Sequence, residues 1–474
     1  MRGVGLLGTL GTAARTVRAP HAAPLSTSAH VCAAGKVAPK KKVAVRKGAS
    51  GERSTGGRRK GGVDTASSLV KASPHFRPAP DMSDLLELDA SAISADALAT
   101  PLAWSNAQLK ALARFGLPQE MARRHALQPR PRSVVRKASV ALIERLERAA
   151  KDGGARELLV GEPGCGKSTY LVQAVAHALS SGWAVVYVPR AITWVDSSSP
   201  YTYNAGLQTY LQPTIVDDLL TAMAQANRRV FDRIKTQRAL VVDGNEVVAS
   251  GATLASLVDR VLKEHSSPVT RQLALDLVWS TLAQQIEVPV LVAVDDVQVL
   301  FGETRYRDAD FVPLHAFEMA VPRSLLNTFV APAQSATMKR GTVLATVSMS
   351  HANYAAPPEL LVALREATSG EAASVPWRRV KELFTSPTAP TRVAEPHAYT
   401  QMHEQHLANA RAAQFALVDV SERLSRPEAA TLLDLLSREN MLWSASNDEL
   451  FVEKLVESNG NIRAFEQGWR KSLV

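Results

Sequence analysis

Residues 161–168 read Gly-Glu-Pro-Gly-Cys-Gly-Lys-Ser, an uninterrupted G-x-x-x-x-G-K-[ST] phosphate-binding loop. No other stretch restricts the fold as tightly. Such a loop needs a strand to deliver the chain into it and a helix behind it. The helix supplies free N–H groups and the positive end of its dipole. Both are in place: Leu158, Leu159 and Val160 form a short apolar run ahead of the loop, and Lys167 to Ser180 has a helical pattern behind it. Gly161, Gly164 and Gly166 let the backbone turn tightly and aim its N–H groups inward. Glu162, Pro163 and Cys165 fill the open positions, and Thr169 follows in the first helical turn. In a loop of this type Lys167 reaches the β- and γ-phosphates, and Ser168 offers its hydroxyl to Mg²⁺. The residues therefore predict nucleoside triphosphate binding. The alternative, a chance Gly-rich turn, does not account for strand, loop and helix in the right order. Turnover is a separate matter.

The most apolar strand of the chain is Val288-Pro-Val-Leu-Val-Ala-Val-Asp-Asp-Val297. Its run is continuous rather than alternating, as in a central parallel strand. It ends in Asp295-Asp296, where a phosphate-loop protein places its second magnesium-organising group. Asp295 is expected to hold the Mg²⁺ water shell. Asp296 occupies the slot in which hydrolytic phosphate-loop proteins often carry Glu as the base for water. Asp is one methylene shorter, so any hydrolysis is expected to be slow. A strand followed by a plain acidic turn is the competing reading. Asp243 also ends an apolar run, but Asp243-Gly244 stands between two such runs and reads as a hairpin turn. Trp183–Pro189 and Gly341–Ser348 read as further strands, and residues 252–263 and 269–286 as helices. Thr346 and Ser348 either sense a γ-phosphate or bond to backbone.

These signals give an α/β nucleotide-binding domain over residues 151–355, a parallel sheet flanked by helices. Residues 356–474 read as a C-terminal helical lid, and residues 101–150 as an N-terminal helical segment in which Trp104, Leu109, Leu112 and Phe115 share a face. Gly460-Asn461-Ile462-Arg463 opens the last helix. Arg463 either swings towards a phosphate or belongs to a capped surface helix.

The net charge of +10 is unevenly spread. Residues 1–62 hold thirteen Lys or Arg and one acid, Glu52, so the other 412 residues are slightly acidic, with 42 Lys or Arg against 44 Asp or Glu. Residues 1–31 contain Arg2, Arg15 and Arg18 and no acid, among Ala, Gly, Leu, Ser and Thr; this is the composition of a mitochondrial transit peptide. Residues 32–100 read as a disordered basic tail and linker. The tail carries ten cations between Lys36 and Lys60 and no aromatic residue, which suits contact with an RNA phosphate backbone. A second basic cluster, Arg123 to Lys137, is expected to touch RNA, lie beside the nucleotide, or form an ordinary exposed face. The two cysteines, Cys32 and Cys165, argue for a reducing compartment. No apolar run is long enough for a transmembrane helix.

In their order, these features resemble the death-associated protein family of the mitochondrial small ribosomal subunit. The resemblance covers roughly residues 100–474. It rests on the phosphate loop, the Val185-Val-Tyr-Val-Pro189 strand with Trp194 after it, the Asp295-Asp296 strand end and the closing Ser458-Asn-Gly-Asn461. Phe115-Gly-Leu-Pro118 through Arg136 resembles the family's N-terminal region, and the Ser26-Thr-Ser28 stretch of the presequence suggests a fungal member. The resemblance implies an AAA-like phosphate-loop fold and a structural ribosomal protein of the mitochondrial matrix. Its partners would be small-subunit rRNA and neighbouring ribosomal proteins. The family is described as GTP-binding, yet no Asn-Lys-x-Asp guanine-reading motif occurs here. Arg463 is more typical of ATP-using relatives. The expected ligand is GTP, GDP or ATP with Mg²⁺. An active mitochondrial AAA-type ATPase and a nucleotide-dependent signalling switch are the rival functions.

Overall fold

The computed structural model describes residues 81–470 apart from residues 90, 154–155, 264–265, 331–337, 349–350, 369–400 and 443–445. The expected transit peptide and the basic tail lie outside the described residues.

Five strands form one parallel sheet: β1 (Arg156–Val160), β2 (Ala184–Val188), β3 (Val290–Val294), β4 (Gly341–Thr346) and β5 (Ala416–Asp419). Their order is β5-β1-β4-β3-β2. Every residue of β1 to β4 is buried, as continuous apolar runs require in a sheet covered on both faces. The loop-bearing strand β1 and the Asp-Asp strand β3 are not neighbours, because β4 lies between them. At their carboxyl ends this leaves a crevice, with the loop on one side and the acids on the other. The backbones of β3 and β4 also approach closely at one point. Gly341 has φ +125°, and a Cβ there would lie 2.0 Å from the Val290 carbonyl oxygen.

One face of the sheet is covered by α1 (Asn106–Phe115), α3 (Lys137–Asp152) and α4 (Lys167–Ser180), with α2 (Gln119–Leu127) between α1 and α3 in the chain. Leu112, Leu146, Leu171 and Val175 pack there against Leu159, Val185 and Leu291. The other face is covered by α5 (Pro213–Ala226), α6 (Leu254–Lys263), α7 (Pro268–Gln284), α8 (Ala320–Val330), α9 (Pro358–Thr368) and α10 (Glu404–Ala413). Leu220, Val258, Val278, Phe329 and Leu360 pack there against Val186, Val292 and Val343. The Asp243-Gly244 reading holds: Leu240–Val242 pairs antiparallel with Asn245–Val248, and both turn residues have positive φ.

The first and last described segments share a third core. Met82, Leu85, Ala103 and Val134 pack with Leu432, Leu435, Phe465 and Trp469 of α11 (Arg426–Arg438) and α13 (Ile462–Trp469), with Phe451 of α12 (Asp448–Glu457) beside them. Three expectations change here. Residues 82–97, read as linker, bury Met82, Leu85, Leu88 and Ile93. The N-terminal segment is not purely helical: Leu86–Glu87, Pro101–Ala103 and Arg132–Val134 make a three-stranded sheet. The described part of residues 356–474 is mostly helical but also supplies β5 to the main sheet.

Most of the basic cluster 123–137 is spent inside the fold, while Arg123 and Lys137 are exposed. Arg132 donates two parallel bonds to Glu439, at 2.8 and 2.9 Å, with both side chains buried. Arg124 pairs with Glu466 at 2.6 Å, and Arg130 donates to the carbonyls of Met82 (3.1 Å) and Leu85 (2.8 Å). Arg124 and Arg132 clamp the N-terminal segment onto the C-terminal helices, and Arg130 ties that segment to itself. Removing one partner of a buried pair leaves the other charge uncompensated. Arg132→Met is therefore expected to lower the unfolding free energy by roughly 3–5 kcal/mol, and Arg132→Met with Glu439→Leu to recover most of it. Denaturant titration reads both. A single variant as stable as the parent contradicts the clamp.

Candidate functional site

The loop leaves β1 and wraps the N-terminus of α4, a helix of fourteen residues whose free N–H groups face the crevice. Gly164 (φ +84°) and Gly166 (φ +102°) adopt the left-handed conformation that disfavours side chains. Gly161 is required for space instead: a Cβ there would lie 2.7 Å from Cys165 Sγ. Cys165 is buried against the loop. Lys167 curls back over the loop, its Nζ donating to the carbonyls of Gly161 (2.8 Å) and Glu162 (3.1 Å).

The start of α13 closes the loop from outside. Asn461 is the N-cap of that helix, and its Oδ1 accepts from the Ala464 N–H at 3.2 Å. Its Nδ2 donates to the Pro163 carbonyl at 2.8 Å, and the Arg463 N–H donates to the Gly164 carbonyl at 3.2 Å. A Cβ on Gly164 would lie 2.7 Å from both Asn461 Oδ1 and Arg463 Cβ. The helix is capped, and its start packs on the loop rather than standing free at the surface. Arg463 lines the crevice.

Behind the loop stands buried Arg136. It donates to the Cys165 carbonyl (3.5 Å), the Tyr170 hydroxyl and the Glu422 carbonyl (2.8 Å), and its guanidinium pairs with Glu428 at 3.4 Å. One cation thus joins the loop, α4, the segment after β5 and α11.

Opposite the loop, Asp295 and Asp296 are both buried. The Asp295 carboxylate accepts from the hydroxyls of Thr346 and Ser168 and from the Asp296 N–H (3.1 Å). Thr346 therefore bonds neither backbone nor solvent but the acid itself. Asp296 has φ +61° and ψ +37°, a left-handed turn that Asp tolerates better than most residues. Its carboxyl meets the Ser348 hydroxyl and faces Arg190. Burial pushes both carboxyls above the usual range, and at Asp296 the charge of Asp295 adds to it; the hydroxyls and Lys167 work the other way.

A crevice of about 940 Å³ joins these groups. Glu162 to Thr169 apart from Cys165, Arg190, Asp295, Asp296, Ser348 and His351 line one end. Trp104, Pro118, Met121, His125 and Gln128 line the other, and Ile462 stands against Gly166 of the loop. There Trp104 Nε1, His125 Nδ1 and Gln128 Oε1 are buried without hydrogen-bond partners among the described residues. Burial lowers the His125 pKa to about 4, with the charge of Arg124 adding, so the imidazole is neutral at pH 7. No three His, Cys, Asp or Glu side chains among the described residues are grouped to hold a metal by themselves.

The structure brings together every loop residue, Ser168 with Asp295, Asp296 and Arg463. The sequence reading did not single out Arg190, the hub role of Arg136 or the far wall. Arg190 had a signal, a cation directly after the carboxyl end of a buried strand. The far wall had none, because it forms only when α2 meets α13. Gly164→Val is expected to displace the start of α13, raising hydrogen exchange of the 462–469 amides at least about tenfold. Unchanged exchange there contradicts the contact.

A family model described as mitochondrial ribosomal death-associated protein 3 matches residues 133–468. The chain is similar to the small ribosomal subunit protein mS29 of Schizosaccharomyces pombe, 30% identical over 219 residues, covering 45% of each chain. It is 27% identical to mS29 of Neurospora crassa over 254 residues, 52% of each, and 28% identical to mS29 of Bos taurus over 195 residues, 40% of this chain and 48% of that one. The chain spans about half the length of the curated relatives it matches.

Proposed function

The chain belongs to the mitochondrial ribosomal death-associated protein 3 family, and from that premise we propose that it is a structural constituent of the small subunit of the mitochondrial ribosome, in the matrix. One observation carries this reading. The family match runs from Ser133 to Gly468 and so takes in the loop, both acids and the closing helix. Mitochondrial small-subunit rRNA and neighbouring ribosomal proteins are the partners that follow from it. No helix among the described residues is long and apolar enough to cross a membrane.

Within that role the crevice suits a purine nucleoside triphosphate with Mg²⁺ held as part of the fold. The glycine cradle admits no side chain at Gly164, and the free N–H groups of α4 face it. Lys167 would exchange its two loop carbonyls for phosphate oxygens. Ser168 and Asp295, already in contact, are the donor pair that Mg²⁺ favours when phosphate oxygens and water complete its shell. A divalent cation there would also keep both buried carboxylates ionised. Arg190 and Arg463 would offset phosphate charge. The far end, with its apolar floor and unpartnered polar atoms, fits a heterocyclic base, adenine or guanine. Asp296 is the residue best placed to hold a water, and its short side chain favours retention of the nucleotide over turnover. A ligand that binds only the folded state stabilises it, by about 2.7 kcal/mol at a hundredfold excess over Kd.

The test is sedimentation of the tagged mature chain from mitochondrial lysate, at low and then high salt, for the parent and Lys167→Ala. The parent is expected to travel with the small subunit through the salt wash. The variant is expected to lose nucleotide affinity and to melt at a lower temperature. Migration of the parent as a free hexamer contradicts the structural role and favours an active ATPase. Equal nucleotide retention and melting in the variant contradict the phosphate contact.

A further inference from the structure

Five cations fall between residues 228 and 238, namely Arg228, Arg229, Arg233, Lys235 and Arg238, against one acid, Asp232. The segment follows α5 and leads into the hairpin at Asp243-Gly244. Arg228 is spent internally, pairing with Asp259 at 2.8 Å and with Asp232 at 3.5 Å. The other four are exposed, and none is seen paired with an acid or a carbonyl among the described residues. Their positions are nevertheless fixed by the fold. Phe231 and Ile234 are buried in the core. Residues 234–236 run beside 252–254: the Leu254 N–H donates to Ile234 (2.9 Å), the Thr236 N–H donates to Ala252 (2.8 Å), and Lys235 bridges Thr253. Alternate residues of an extended run face opposite ways. Lys235 faces outwards between buried Ile234 and Thr236, and Arg233, in the turn that ends the short helix Arg228–Phe231, and Gln237 are exposed beside it. Arg229 and Arg238 flank these residues in sequence.

We propose that Arg229, Arg233, Lys235 and Arg238 form a docking face for an RNA phosphate backbone. Naming RNA as the occupant rests on the ribosomal reading above; the location rests on the charge. These side chains stand on a backbone already ordered by buried neighbours, and no internal pair must break to release them. The guanidinium fork matches phosphate bidentately, and binding releases condensed counterions. The segment's single aromatic, Phe231, is buried, so the face follows backbone and shape rather than base sequence. It also stands out locally, since the chain beyond residue 62 has nearly balanced charge. The contrast with 123–137 is direct, because there the arginines are held by acids and carbonyls.

The test uses the full chain and in-vitro transcribed mitochondrial small-subunit rRNA. Three proteins are compared: the parent, a variant with all four residues changed to Ala, and a control with Lys110, Arg114, Arg123 and Lys151 changed to Ala. The control loses the same charge from other exposed positions. At fixed salt the four-residue variant is expected to bind at least about tenfold more weakly, with the slope of log K against log salt flattened by roughly 3. The control is expected to change less than about twofold, and all three to melt alike. Equal slopes in variant and control overturn the proposal. Unchanged rRNA binding in a variant that no longer joins the salt-washed subunit also overturns it, assigning the face to an acidic protein. A parent that binds no rRNA fails the ribosomal reading itself, a result distinct from failure of the face.

Discussion

The contact between the phosphate loop and the N-terminus of α13 sets the terms for the rest of the structure. Gly164 and Asn461 are separated by nearly the whole domain in sequence, yet a Cβ at Gly164 would lie 2.7 Å from the Asn461 side chain. Asn461 caps its own helix and donates to the Pro163 carbonyl at 2.8 Å. The same side chain therefore starts the last helix and seats it on the loop. Holding α13 there brings Arg463 to the crevice and turns Phe465 and Trp469 into the core they share with the N-terminal segment. The far wall of the crevice exists because the first and last described segments meet over it.

Buried arginines keep that closure in register. Arg132, at the start of a short strand, and Arg136, two residues beyond its end, reach the two ends of α11, meeting Glu439 just past its end and Glu428 near its start. Arg124 reaches Glu466 on α13. Desolvating such pairs costs about as much as their attraction returns, so their main effect is to exclude other arrangements of the same helices. Arg136 has a second consequence, because it also holds the Cys165 carbonyl within the loop. The loop and the docked C-terminal helices are thereby linked through one guanidinium.

Much of the centre was legible in the sequence. The loop, the strand ending in Asp295-Asp296 and the Asp243-Gly244 hairpin are local patterns, and local patterns survive folding. Features that depend on distant partners were not legible. The strand Ala416–Asp419 is four residues at a sheet edge, too short to stand out among helices. The three-stranded N-terminal sheet uses strands of two or three residues. Helix α7 buries the polar Thr270, Gln272 and Thr281 together with Ala274, Leu275, Val278 and Leu282, so its buried side does not appear in the sequence as an apolar stripe. Charge was the least transparent property. The sequence counts cations but does not show which are neutralised, so the largely internally paired 123–137 cluster drew attention and the exposed 228–238 segment did not.

The proposed nucleotide site is the crevice built where the first and last described segments of the protein meet. Calorimetric titration of Mg²⁺-ATP and Mg²⁺-GTP into the mature chain tests it most directly. The account predicts one site per chain for one of the two nucleotides, weakened when Mg²⁺ is chelated. No binding of either nucleotide at millimolar concentration would contradict it.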